Sequence, residues 1–189
     1  MNSNVRPHVQ PSLESERLRL RPFSLHDAAA VQRLAGDRRI ASTTTTIPHP
    51  YPDGAAEQWI SKHAESLRSG SGLTFASTLQ ATGELVGAIS LLELSTAHAR
   101  AEVGYWVGVP YWGLGYATEA VRRLIPYATE AYGVTRFLGR CLARNPASAR
   151  VMEKAGLSYE GRLVKHVLKN DEYEDVLLYG LVLGERGAA

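Results

Sequence analysis

The sequence predicts one α+β domain built on a mixed sheet, and three observations carry that prediction. First, 189 residues with 44% hydrophobic and 21% charged side chains and a net charge of +2 is the length and balance of a single globular unit. Second, the middle of the chain is β-rich: Leu73 to Leu79, a turn at Ala81-Thr82-Gly83, Leu85 to Leu94, and then Ala101 to Val109, ended by Pro110. Third, the period of the apolar residues changes after Pro110. Ala117, Ala120, Val121, Leu124, Ile125, Ala128 and Ala131 recur at helical spacing, with Glu119, Arg122, Arg123 and Glu130 on the opposite face.

Each remaining element has its own signal. Residues 1 to 12 are polar and aperiodic and are expected to form a loose tail, with the domain running from 13 to 185. Leu18 to Arg21 alternates as a strand, and Arg17, Arg19 and Arg21 are expected on its wet face. Ser24 and Asp27 offer caps for a helix through Ala28, Val31 and Leu34 that stops near Gly36. Pro48, Pro50 and Pro52 at alternate positions exclude a helix or a central strand around them, so Ser42 to Asp53 is expected to be a loop. Asp53 can cap a second helix with the stripe Ala56, Trp59, Ile60, His63, Ala64 and Leu67, closed by Gly70, in which Trp59 and His63 are expected to pack. Pro126 should bend the long helix. Arg136 to Ala143 reads as a strand. Asn145-Pro146 reads as cap and first residue of a short helix ending at Gly156, and the chain closes with two strands around Lys169-Asn170-Asp171.

Composition narrows the function. A lone cysteine excludes a disulfide framework and a thiolate zinc cluster and fits a reducing compartment. The six histidines form no close pair at ligand spacing, so no metal is expected. No apolar run approaches the roughly 18 residues of a membrane span, and residues 1 to 10 have no apolar core, so a cytoplasmic location and no membrane partner are expected. The small net charge argues against a nucleic-acid partner.

The most informative segment is Val107-Gly108-Val109-Pro110-Tyr111-Trp112-Gly113-Leu114-Gly115-Tyr116-Ala117-Thr118, which joins a strand to a helix start through a glycine-bearing turn. Alternate glycines let backbone amides converge without a Cβ in the way, and the unpaired N–H groups of a helix's first turn attract an anion without any lysine. The segment lacks the Lys-Ser or Lys-Thr of a P-loop and the third glycine of a dinucleotide fold. On spacing alone, a tight strand-to-helix turn explains it equally well.

Trp112-Gly113-Leu114-Gly115-Tyr116-Ala117 resembles the acetyl-CoA pyrophosphate turn of the GNAT N-acetyltransferases, Gln/Arg-x-x-Gly-x-Gly/Ala, with Trp112 in the Gln/Arg position. Asn145-Pro146-Ala147-Ser148 through Lys154-Ala155-Gly156-Leu157 resembles the family's second motif, Asn-x-x-Ser-x-x-x-x-x-Lys-x-Gly-Phe, at the expected distance. The opening Glu16 to Pro22, the strand Glu102 to Trp106 and the ending Asn170 to Tyr179 are similar to the Rim-type branch, which acetylates the N-terminal amine of ribosomal proteins. The resemblance implies a mostly antiparallel central sheet splayed around acetyl-CoA, with strands ending near Val109 and Leu142 holding the pantetheine arm. It also implies a cofactor site made by Val107, Val109, Trp112, Gly113, Leu114, Gly115, Tyr116, Ala117, Thr118 and Asn145, and direct attack by an amine.

That chemistry needs a base, an oxyanion donor and an acid for the leaving thiolate. An α-amine titrates at about 7.7 to 8.0, so a weak base acting through water is enough for it. Glu102 on the strand before the turn is the candidate, with a solvated or ion-paired strand residue as its alternative. The position where many relatives carry a tyrosine is Met152, which has no proton to give, so Ser148 is the candidate acid. A backbone N–H near Val109 is the candidate oxyanion donor, and helix capping is the alternative use of Asn145. An acetyl-cysteine route through Cys141 is disfavoured, because a lone cysteine in an apolar strand usually packs. The acceptor is expected to be a protein N-terminus. The alternatives are a small amine such as a polyamine, an amino acid or an antibiotic, and a catalytically silent CoA-binding module. Monomer and homodimer are both compatible with the sequence.

Overall fold

In the computed structural model, which describes residues 9–184, an eight-stranded sheet runs in the order β1-β2-β3-β4-β5-β6-β8-β7. The strands are β1 Leu13–Glu14, β2 Leu18–Pro22, β3 Leu73–Leu79, β4 Leu85–Ser95, β5 Arg100–Val107, β6 Arg136–Leu142, β7 Ser158–Lys169 and β8 Glu172–Val182. Every neighbouring pair is antiparallel except β5 and β6, so the sheet is mixed and mostly antiparallel, as expected. The helices are α1 Ala28–Ala35, α2 Arg38–Thr43, α3 Ala55–Ser61, α4 His63–Ser69, α5 Tyr116–Tyr132 and α6 Pro146–Lys154.

Strand alternation sends side chains to two cores. On one face Leu18, Leu20, Phe75, Val86, Ile89, Val103 and Phe137 pack beneath Val121, Leu124 and Ala128 of α5 and Met152 of α6. On the other, Ala76, Leu85, Ala88 and Trp106 pack against Val31 and Leu34 of α1, Ile40 of α2 and Ile60 of α3. Most of these side chains are fully buried, and each large one contributes roughly 1.5–3 kcal/mol by leaving water. Gly139 of β6 admits α6 at close range, because a Cβ there would collide with Met152 Sδ. Met152 is buried there.

Several expectations need correction. Residues 38–43 form α2, started by the Asp37 carboxylate, which accepts from the Arg39 amide, so part of the expected loop is helical. The helix expected from Asp53 starts one residue later, with Gly54 at the cap in a left-handed conformation (φ 76°), and it breaks at Lys62 into α3 and α4. Pro126 sits inside α5, where the apolar period placed it, and the helix runs on to Tyr132. Strand β5 ends at Val107, and Val109–Tyr111 is a 3-10 turn. Gln10, in the expected tail, donates to the Thr74 carbonyl at 2.9 Å, whereas residues 1–8 and 185 lie outside the described residues. The closing hairpin turns at Asn170 (φ 50°) and Asp171 (φ 64°), two consecutive left-handed residues that suit a two-residue loop. Strand β8 lies between β6 and β7, where Val176 and Tyr179 are buried but Val182 is exposed, so burial accounts for only part of its apolar residues.

Candidate active site

The decisive feature is where β5 and β6 part. They pair from Arg100↔Arg136 to Val103↔Gly139 and then separate, although β5 continues to Val107 and β6 to Leu142. A cleft of about 800 Å³ opens at that gap. It is lined from both faces of the sheet: Glu102, Trp106 and Arg140 on the α1–α3 side, and Tyr105, Cys141 and Ser148 on the α5–α6 side.

One wall is the turn into α5. Gly113 (φ 78°) and Gly115 (φ 83°) adopt left-handed backbone that only glycine takes without strain. The Trp112 amide donates to Val109 O at 3.2 Å, and its indole N–H donates to Val107 O at 2.6 Å, so both of its donors are spent inside the protein. The amides of residues 113–118 have no protein acceptor among the described residues. Six donors at the positive end of a 17-residue helix make a site that fits a pyrophosphate. Gly113, Gly115, Tyr116, Ala117 and Thr118 line the cleft, as do Val107 and Trp112. Val109 and Leu114 are not on its wall, and Leu114 instead directs its carbonyl to Arg17.

The three alternating arginines divide in a way their spacing does not reveal. Arg19 pairs with Glu14 at the surface. Arg21 makes a fork with Asp27, at 2.8 and 2.7 Å, that tethers the entry of α1 to β2. Arg17 reaches across to α5, where its Nε donates to Glu119 at 2.7 Å and its Nη1 to Leu114 O at 3.0 Å.

The second wall is the start of α6. Asn145 Oδ1 accepts from the Ser148 amide at 3.1 Å, the expected cap, and its Nδ2 donates to Thr43 O at 3.0 Å. That second bond ties the end of α2 to the helix that carries Ser148. Both polar atoms of Asn145 therefore already have protein partners, and its further use toward the pantetheine rests on leftover capacity.

Ser148 has a neighbour that the sequence did not disclose. The Tyr105 hydroxyl lies 2.8 Å from Ser148 Oγ and 3.0 Å from the Ser148 carbonyl. Burial pushes the Tyr105 phenol well above its ordinary range, so it keeps its proton. If that proton goes to Ser148 Oγ, the serine's own hydrogen is free to point into the cleft. Cys141 stands beside this pair, and burial pushes its thiol up to about 11, which leaves little thiolate to act as a nucleophile.

On the opposite face Glu102 is buried and ion-paired: Arg140 contacts its Oε2 and also Glu93 at 2.8 Å. Arg140 is a member of the site that the sequence did not single out. Trp59 and His63 pack edge to face with ring centroids 4.5 Å apart, as expected of packing residues, although Trp59 also lines the cleft. No group of three His, Cys, Asp or Glu suited to a metal occurs among the described residues, and no described helix is long and apolar enough to cross a membrane.

An amide-lined anion turn beside a cleft through a parted sheet is an arrangement that suits an acyltransferase using a CoA thioester. A model described as the acetyltransferase (GNAT) domain matches residues 17–158, and the chain belongs to that family of acetyl-CoA-dependent N-acetyltransferases. Over 100 residues it is 33% identical to the ribosomal-protein-serine acetyltransferase of Escherichia coli, covering 53% of this chain and 56% of that protein. It is 24% identical over 162 residues to the spermidine N(1)-acetyltransferase of Vibrio cholerae, covering 86% and 91%. The structure of Mycobacterium smegmatis RimJ in complex with CoA-disulfide superposes with a TM-score of 0.85 at 23% identity, over 98% of this chain and 93% of that one.

Proposed function

We propose that this enzyme transfers the acetyl group of acetyl-CoA to the N-terminal α-amine of a protein, a ribosomal protein in the first instance. The observation that carries this is the charge of the cleft. Among the described residues Glu102 is the sole carboxylate on its wall, and it is already paired, whereas Lys62, Arg140, Arg150 and Lys154 are the basic groups. A polyamine carries several positive charges and would meet no free carboxylate. A neutral or acidic peptide with a single α-amine would meet no such penalty. The similarity to a ribosomal-protein-serine acetyltransferase supports the same choice.

In this proposal the chain's residues divide the work. The amides of residues 113–118 hold the pyrophosphate, and a backbone N–H at the open end of β5, where the strand has lost β6, supplies the oxyanion hydrogen bond. Glu102, anchored through Oε2, orders a water that takes the proton from the amine. Ser148 passes a proton to the departing thiolate and is reprotonated from solvent in the cleft, while Tyr105 holds the serine's oxygen. The two groups approach the reacting carbon from opposite faces of the sheet, which the parting of β5 and β6 permits.

Thiol release measured with peptides bearing different N-termini, with spermidine and with free amino acids tests the proposal. Peptides should exceed spermidine in kcat/KM by at least about tenfold, since one unmatched charge costs that much. Spermidine as the better acceptor would reverse the assignment, and CoA binding without release from any amine would mark a silent module.

A further inference from the structure

The turn that holds the pyrophosphate contains two left-handed glycines, the most freely rotating residues available. Something outside the turn must hold its amides in register, and the β1–β2 corner supplies it. Arg17 Nη1 donates to Leu114 O at 3.0 Å, in the middle of the turn, and its guanidinium lies 4.7 Å from the centre of the Tyr116 ring. Arg17 Nε donates to Glu119 Oε2 at 2.7 Å. Glu119 Oε1 in turn accepts from the Arg17 amide at 2.7 Å and from Ser15 Oγ at 2.8 Å. Four hydrogen bonds and a cation–ring contact thus join the β1–β2 corner to the first turn of α5.

Glu119 also presents an electrostatic problem. A carboxylate in the first turn favours the helix itself, yet it stands one turn from amides that must receive a polyanion. Arg17 cancels that charge where it arises. We infer that Arg17, acting with Glu119, is a positioning residue for the pyrophosphate turn: it fixes the Leu114 carbonyl, and with it the amides on either side, and it neutralises Glu119 toward the incoming diphosphate. The inference rests on the assignment of residues 113–118 to the pyrophosphate.

Two consequences distinguish this role from general stabilisation of the fold. The effect must depend on the diphosphate in the donor, and it must be partly relieved when the Glu119 charge is removed as well. The experiment compares acetyl-CoA with S-acetyl-pantetheine, which keeps the thioester and the arm but lacks the pyrophosphate. Arg17→Ala should raise the KM for acetyl-CoA about 10- to 30-fold and leave kcat/KM for S-acetyl-pantetheine within about twofold. Arg17→Ala combined with Glu119→Gln should recover about threefold of the lost affinity. If Arg17→Ala does not fold, Arg17→Lys carries the same test with a rise of about threefold, because lysine keeps the charge and loses the fork. A parallel loss with both donors overturns the inference. Gly115→Val controls for the turn itself: a raised KM for acetyl-CoA in Gly115→Val beside an unchanged KM in Arg17→Ala overturns the role of Arg17 alone. An unchanged KM in Gly115→Val overturns the assignment of the turn and the inference with it.

Discussion

In the proposed assignment, the cofactor half and the acceptor half of the cleft are built by different means. The cofactor half is made of backbone: amides exposed by Gly113 and Gly115, a helix start at Tyr116, and a cap at Asn145. The acceptor half is made of side chains brought in on α2, on the proline-containing loop and on α3, with Thr43, Thr44, Tyr51 and Trp59 on its wall. A backbone site is constrained by what a polyanion requires, so short spacing dictates it. A side-chain site is constrained by the acceptor, and its pieces can change while the sheet stays the same. The two halves are fastened together by the bond from Asn145 to Thr43.

That contrast can be broken at graded cost. Ser148→Ala should lower kcat about 100-fold while the KM for acetyl-CoA stays within about threefold, as loss of a general acid without loss of binding requires. An undiminished kcat would remove Ser148 from the chemistry. Tyr105→Phe keeps the ring and deletes the hydroxyl, and it should lower kcat by about fivefold to tenfold, the worth of one buried hydrogen bond. The same change made in Ser148→Ala should have almost no further effect, and an equal effect in both backgrounds would make Tyr105 a packing residue. Asn145→Ser keeps an N-cap oxygen but drops the donor to Thr43. It should raise the KM for the peptide about threefold and leave that for acetyl-CoA unchanged; the reverse pattern would show that Asn145 serves the cofactor.

The smallest effect concerns stability. Both ring nitrogens of His63 are buried without a hydrogen-bond partner among the described residues, and burial lowers its pKa to about 4. In the unfolded chain the ring titrates near 6.5. Between those values the unfolded state binds the extra proton, so stability is lost as pH falls from about 6.5 to about 4. Discounted for partial exposure, the loss is roughly 2 kcal/mol, or about 4 to 8 °C in melting temperature for a domain of this size. His63→Leu should flatten that stretch of the melting curve against pH, and an unaltered slope would place the sensitivity elsewhere.

The strands, the hairpin turns and the glycine turn were legible because each is dictated within a few residues: alternation, Asn170-Asp171, Gly113 and Gly115. The partners of the candidate catalytic groups were not. Tyr105 meets Ser148 across 43 positions, Arg140 meets Glu102 across 38, and Arg17 meets Glu119 across 102. Nothing in the local pattern distinguishes Arg17 from Arg19, because both alternate with buried leucines, although Arg17 lies just before β2 and Arg19 within it. Helix α2 was missed because the prolines that follow it dominate the local composition, although Asp37 offered a capping side chain. The break at Lys62 has no breaker residue to announce it.

The gap between β5 and β6 has one more consequence. Each strand keeps its outer neighbour, β5 pairing with β4 as far as Val107 and β6 with β8 as far as Leu142, so the inner sides of residues 104–107 and 140–142 form two bare strand edges in the middle of a sheet. Edges of this kind invite any extended chain that can offer amides at the right spacing. An amide-bearing pantetheine arm is such a chain, and seated there it would complete the ladder that the protein leaves unfinished. By mass action a donor seated there would also raise the stability of the folded chain.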